Sequence, residues 1–166
     1  MALVEFRDVC YEISGRQILH NLNLTVDAGE TLVLLGRSGS GKTTALKLTN
    51  GILFPTSGQV MVEGRPTTEW DPIRLKRRIG YVIQDVGLFP HWTVGDNVGL
   101  VPKLEQWPAP DVQRQVHRLL EEVGLHPDEF LARYPRQLSG GQRQRVGIAR
   151  ALALNPKMLL LEHPTA

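Results

Sequence analysis

Apolar residues at every second position, Leu22, Leu24 and Val26, alternate with Asn23 and Thr25, the period of two that turns one face of a strand to a core and the other to water. Val60 and Val62 repeat the pattern and stop at the turn pair Glu63-Gly64. Both read as half-buried strands of a β-rich opening section. Between them, Thr31-Leu32-Val33-Leu34-Leu35 is a continuous apolar run ending at Gly36, which predicts a strand buried on both faces. Residues 79–84, Ile-Gly-Tyr-Val-Ile-Gln, predict another buried strand, and Met158–Leu161 a last one.

Helical patterns fill most of the remainder. A helix is predicted over residues 43 to about 50, where Gly51 stops it. After Gln84 the chain turns helical, punctuated by Pro102, Pro108, Pro110, Pro127 and Pro135, so a subdomain boundary is placed near Gln84. Val112, Val116, Leu119, Leu120 and Val123 fall on one face of a helix over 111–123, with Asp111 as its N-cap, and read as ordinary core packing. A further helix begins at Ser139 and runs past Ala153. The chain shows no internal repeat and no low-complexity segment.

Composition narrows the class without naming a function. With 166 residues, 42% hydrophobic and 22% charged, the chain suits one soluble globular domain with a real core. A formal net charge of +2, spread along the chain, lacks the basic stripe of a dedicated nucleic-acid binder. The single cysteine, Cys10, excludes an internal disulfide and a cysteine-based zinc site and suits a reducing cytoplasm. The first residues do not read as a signal peptide, and no apolar run approaches the roughly 20 residues of a membrane span. Contact with a membrane is therefore expected only through a partner.

Gly36-Arg37-Ser38-Gly39-Ser40-Gly41-Lys42-Thr43 matches the Walker A pattern and lies between a predicted strand and a predicted helix. Glycines there let backbone N–H groups turn inward around a phosphate, and the helix N-terminus adds partial positive charge. Lys42 is placed to bridge the β- and γ-phosphates of ATP, Thr43 to offer a hydroxyl to Mg²⁺, and Thr44 joins the nucleotide-binding set. The bland alternative is a Gly/Ser-rich surface turn.

The loop at 36–43, Gln84 at a strand end, Leu138-Ser139-Gly140-Gly141-Gln142 and the apolar run Met158–Leu161 occur in the order and approximate spacing of ABC ATPases. The whole chain resembles that family. The resemblance implies an α/β P-loop NTPase of the ABC type: a mostly parallel core sheet, an N-terminal antiparallel β subdomain and a helical subdomain, incomplete at the C-terminus. The expected organisation is about 1–84 for the β subdomain and P-loop core, about 85–153 for the helical subdomain with the signature, and 154–166 for the Walker B strand. Gln84 looks like the Q-loop glutamine, which in the family contacts Mg²⁺ and the attacking water; by residue type alone it is a plain strand-end residue. Residues 138–142 are similar to the ABC signature.

In such proteins two subunits pack head to tail, so Ser139 and Gly141 at one helix N-terminus would face the γ-phosphate held by the other subunit's Lys42. Glycines at that helix start let backbone approach a phosphate with no side chain in the way. The implied partners are a second ABC ATPase subunit and transmembrane permease subunits, with no nucleic acid, and the implied location is cytoplasmic, peripheral on the inner face of the membrane. The stretches 87–94, Gly-Leu-Phe-Pro-His-Trp-Thr-Val, and 97–104 resemble the ATPases of glycine betaine, choline and carnitine importers. Phe89 and Trp92 are then contacts for a permease helix, or equally fill a core between subdomains.

Several positions depart from the family. Glu162 stands where an Asp normally holds Mg²⁺ through water; the charge is kept, but the carboxylate reaches roughly 1.5 Å further. His163 stands where a Glu normally polarises the attacking water, and an imidazole lacks the fixed negative charge, so turnover is expected to fall sharply. Ile13 occupies the usual place of the aromatic residue that stacks on adenine; Tyr11, on the same strand face, is the substitute, and Ile13 reads as core. The chain ends at Ala166, before the family's D-loop and switch histidine. In this class the strand leading to that histidine lies between the P-loop and Walker B strands, so a gap in the parallel sheet and marginal stability are expected.

Two functional readings follow. One is the ATPase subunit of an importer for quaternary ammonium osmoprotectants, using ATP and Mg²⁺. The other is a truncated or degenerate module that binds ATP with little hydrolysis, as Glu162 and His163 suggest. A soluble ABC ATPase of DNA maintenance would carry long coiled-coil or zinc-bearing insertions, and none is present.

Overall fold

The computed structural model describes residues 2–84 and 86–162, in two compact units, Met1–Lys76 and Arg77–Ala166.

The first unit is built on an antiparallel sheet of β1 (Ala2–Ile13), β2 (Arg16–Asp27), β3 (Ser57–Val62) and β4 (Arg65–Pro66), in the order β2-β1-β3-β4. Its hairpins use two-residue turns, Ser14-Gly15 and Glu63-Gly64, with positive φ at both positions, the backbone that matches the twist of the flanking strands. The expected alternation holds: Leu22, Leu24 and Val26 are half-buried, and Val60 and Val62 are buried with Val4, Phe6 and Val9. Helix α1 (Lys42–Thr49) packs on β3 and ends as expected at Gly51. Gly51 N–H donates to Leu48 O and Ile52 N–H to Lys47 O, with Gly51 at φ 67°, the paired bonds of a Schellman ending.

One expected element is missing. Residues 31–35 form no ladder with any strand among the described residues, and Leu32, Val33 and Leu35 are 41%, 67% and 88% exposed. Hydrophobicity makes such a run seek burial, but a doubly buried parallel strand exists only where neighbouring strands supply its hydrogen bonds. Neither sheet includes it.

The second unit joins a parallel pair, β5 (Ile79–Val82) and β6 (Met158–Leu161), to a helical cluster. Helix α2 (Pro72–Arg78) runs directly into β5. Helices α3 (Val94–Leu104), α4 (Ala109–Glu122), α5 (Pro127–Phe130) and α6 (Gly140–Ala151) surround a core containing Val94, Val98, Leu119, Leu120, Phe130 and Val146. The α4 stripe is as predicted, with Val112, Val116, Leu119 and Leu120 buried and Val123 packed at the edge. Its start differs. Pro108 holds the N-cap position, and Asp111 lies inside the first turn, paired with Arg114. Pro110, in the first turn, lacks only an N–H that would have no intrahelical acceptor, and an acidic side chain there suits the helix's positive end.

Helix α6 starts where expected but stops at Ala151, with Leu152 as C-cap. Strand β5 ends at Val82, which leaves Gln84 in the turn that follows. The α/β class, the antiparallel N-terminal sheet and the separate parallel sheet agree with the reading from sequence.

Candidate functional site

In the first unit, residues 36–40 form an exposed loop that enters α1 through the buried Gly41. Gly41 is the N-cap with φ 92°, and a Cβ there would lie 2.7 Å from Leu19 Cδ2 and 3.2 Å from Ile18 O. Both the backbone angle and the space demand glycine. Ser40 N–H donates to Arg37 O at 3.2 Å, which closes the turn containing Ser38 and Gly39. Gly36 lies against that turn, since a Cβ on it would meet Ser40 Oγ at 2.7 Å.

Lys42 folds over this loop. Its Nζ donates to Gly36 O at 2.7 Å, to Arg37 O at 2.8 Å and to Ser40 Oγ at 3.3 Å. A long cation is thereby held at the mouth of a helix whose first N–H groups have no intrahelical acceptor. Thr43 and Thr44 follow in the first turn of α1, half-buried. No acidic side chain sits in that turn to compete for the positive end. The arrangement suits a multiply charged anion: backbone donors, a helix terminus, an ammonium and a hydroxyl on one short segment.

Tyr11, on β1, is half-buried and paired with Leu19, while Ile13 is 55% exposed. The core role expected for Ile13 is therefore wrong. It sits at the hairpin end, beside Ser14-Gly15, open to solvent. The extra residue at the register shift beside Tyr11 is Ile18, on β2, so Tyr11 and Ile13 keep their two-residue spacing along β1.

In the second unit, Ser139 caps α6 through a reciprocal box. Its Oγ accepts from Gln142 N at 3.2 Å, and Gln142 Oε1 accepts from Ser139 N at 2.9 Å. Leu138 is buried and anchors the segment in the helical core. Gly140 and Gly141 are exposed, and a Cβ on either would meet nothing within 4 Å. Packing within this chain does not require glycine at these positions.

Gln84 and Glu162 both lie just past the carboxyl ends of the parallel strands β5 and β6, the edge where open α/β sheets bind ligands. Glu162 N–H donates to Val82 O at 2.9 Å, and Tyr81 Oη donates to Glu162 Oε1 at 2.5 Å. Burial, and then this bond to a carboxylate, push the Tyr81 phenol far above the usual tyrosine range. Gln84 is exposed. His163 lies outside the described residues.

Thr43, Gln84 and Glu162 all offer oxygen, the donor type that Mg²⁺ takes. Among the described residues no three acidic, histidine or cysteine side chains gather into a metal cage.

Two further residues shape this unit without having been singled out from sequence. Asn97 is fully buried: Nδ2 donates to Phe89 O, Trp92 O and Thr93 O, and Oδ1 accepts from Phe89 N at 2.8 Å. It fixes the loop on which Phe89 and Trp92 stack with centroids 4.7 Å apart. Both rings are about two-fifths exposed, at 44% and 40%, so neither fills a core. Arg150, on α6, donates to Val86 O at 2.6 Å and Gly87 O at 2.8 Å, holding two successive residues of positive φ soon after Gln84. A single amide or guanidinium in a helix carries no sequence signal for such a role.

Comparison with known proteins places these features in a family. The family profile described as ABC transporter matches residues 19–166. The osmoprotectant import ATP-binding protein OsmV of Salmonella typhimurium is 45% identical over 144 residues, 87% of this chain and 38% of that protein. The choline transport ATP-binding protein OpuBA of Bacillus subtilis is 43% identical over 150 residues, 90% of this chain and 39% of that protein. The chain thus spans about two-fifths of the length of these relatives. A dimeric ATP-binding cassette, MJ0796, solved in a post-hydrolysis state with ADP and Pi, superposes with a TM-score of 0.85 at 34% identity, over 98% of this chain and 74% of that one.

Proposed function

The chain belongs to the ABC transporter family, and from that premise we propose that it is the nucleotide-binding part of an importer ATPase subunit, serving uptake of a small quaternary ammonium solute. The observation that carries the reading is Lys42 poised over the 36–43 loop at the start of α1. Its bonds to Gly36 O and Arg37 O are exchanged for the β- and γ-phosphates when ATP enters, while the loop N–H groups and the α1 terminus take the remaining oxygens. The solute class rests on the relatives named for osmoprotectant and choline transport.

The remaining roles are those the family resemblance implies. Thr43 in the first unit, and Glu162 and Gln84 in the second, would each offer oxygen to Mg²⁺, which supplies charge neutralisation to phosphates. Ser139, Gly140 and Gly141 form an open helix start that suits the γ-phosphate held by a second copy in a head-to-tail dimer. Gln142 fixes Ser139 through the capping box, and Leu138 anchors both to the core. Tyr11 is the aromatic nearest the place of the adenine-stacking residue. Phe89 and Trp92, exposed and rigidly backed by Asn97, are offered to a permease subunit. Among the described residues no helix is long and apolar enough to cross a membrane.

A second reading, binding with little hydrolysis, is favoured by one specific observation: Glu162 and His163 replace the family's Asp-Glu pair. The test separates the two steps by measuring ATP binding and phosphate release on this chain, then on Glu162→Asp/His163→Glu in a longer chain that includes the D-loop and switch histidine. Binding without release in the first and release in the second supports the second reading. Equal turnover in both sinks it.

A further inference from the structure

In this chain a glutamate stands at the Walker B aspartate position, and its extra methylene must go somewhere. Tyr81 and Leu160 are partners in the parallel β5–β6 register, and Leu160 and Glu162 lie two residues apart, hence on one face. Tyr81 therefore shares the face from which Glu162 emerges. Its Oη reaches Glu162 Oε1 at 2.5 Å, while Glu162 N–H is tied to Val82 O at 2.9 Å. Backbone and side chain are thus each held by a neighbouring residue of β5. An aspartate, about one C–C bond shorter, would withdraw its carboxylate from that phenol.

We infer that Tyr81 is a positioning residue matched to Glu162: it anchors one carboxylate oxygen so that the other, Oε2, is held in a fixed direction for Mg²⁺. The inference rests on the proposed reading that Glu162 serves Mg²⁺. An unanchored glutamate has one more freely turning bond than aspartate and would present its charge in many directions. The phenol removes that freedom. It also leaves Oε2 available, since a carboxylate has lone pairs to spare for several donors.

The test is the affinity for ATP in excess Mg²⁺ relative to that in EDTA, measured calorimetrically on the whole chain and on Tyr81→Phe, Glu162→Asp, Glu162→Gln and the Tyr81→Phe/Glu162→Asp double variant. Tyr81→Phe should lower the Mg²⁺/EDTA ratio about tenfold, the scale of one hydrogen bond to a charged group, and leave the EDTA affinity unchanged. In the Glu162→Asp background, where the shorter side chain no longer meets Tyr81, the same substitution should change the ratio less than about twofold. An equal loss in Mg²⁺ and EDTA would mean that Tyr81 only supports the fold, and would overturn the inference. So would an unchanged ratio, or a raised one, which would show that the phenol holds Glu162 away from the nucleotide. If Glu162→Gln keeps the wild-type ratio, Glu162 has no part in Mg²⁺ binding, and the reading beneath the inference fails with it; a collapse in Glu162→Gln beside an unaffected Tyr81→Phe defeats the inference alone.

Discussion

Asn97 and Lys42 show how differently single side chains reveal themselves. Lys42 was legible because its neighbours form a pattern with one physical purpose: glycines that free N–H groups, then a cation, then a hydroxyl. Asn97 was not, because an amide inside a helical stretch looks the same whether it faces water or is buried. Its meaning comes from long-range closure, with three acceptors and one donor converging from the 89–93 loop onto a fully buried group. Asn97→Ala leaves those backbone groups unpaired, at a cost of about 2–3 kcal/mol. The thermal transition, broad as it is, should then be centred roughly 5–10 °C lower when the two proteins are scanned at one rate, the scale expected for a chain of this size. Tryptophan emission should also shift as Trp92 loses its support. An unchanged melt would show that water replaces the amide at no cost.

At the level of elements, local rules read well where the determinants are local. The glycine that ends α1 and the serine that begins α6 each rest on a few adjacent residues. Residues 31–35 read badly because a buried strand depends on partners distant in sequence, which a local apolar run cannot report. The N-cap of α4 was displaced to Pro108 since Asp111 is useful anywhere in the first turn. Gly140 and Gly141 give the clearest element-scale prediction. With open space around both, Gly141→Ala should leave the stability of the isolated chain unchanged or raise it by about 0.5–1 kcal/mol through helix propensity. It should abolish ATP-dependent dimerisation in sedimentation experiments. A destabilised monomer, or a dimer that still forms, would remove the reason offered for glycine there.

Across the whole molecule, the α/β class and the separation of antiparallel and parallel sheets were legible through the family resemblance that the order of the motifs carries. The packing of the second unit's loops onto Asn97 and Arg150 was not, since it depends on which polar atoms burial leaves without water. The exposed leucines and valine at 32–35 also set the expected behaviour of the 166-residue chain in solution. Adjacent apolar side chains left open to water lower stability and promote association. Thermal unfolding of the chain by itself should be broad and accompanied by aggregation; a reversible, cooperative transition at an ordinary mesophile temperature would contradict this.

The central claim is that the 36–43 loop binds the phosphates of ATP through Lys42 and the α1 terminus. Isothermal titration of ATP into the chain, and into Lys42→Ala, tests it most directly. Saturable binding at one site is expected, weakened at least about tenfold by removing a cation that makes charge-assisted hydrogen bonds to phosphate. Equal affinity in the two proteins, or no saturable binding to either, would contradict it.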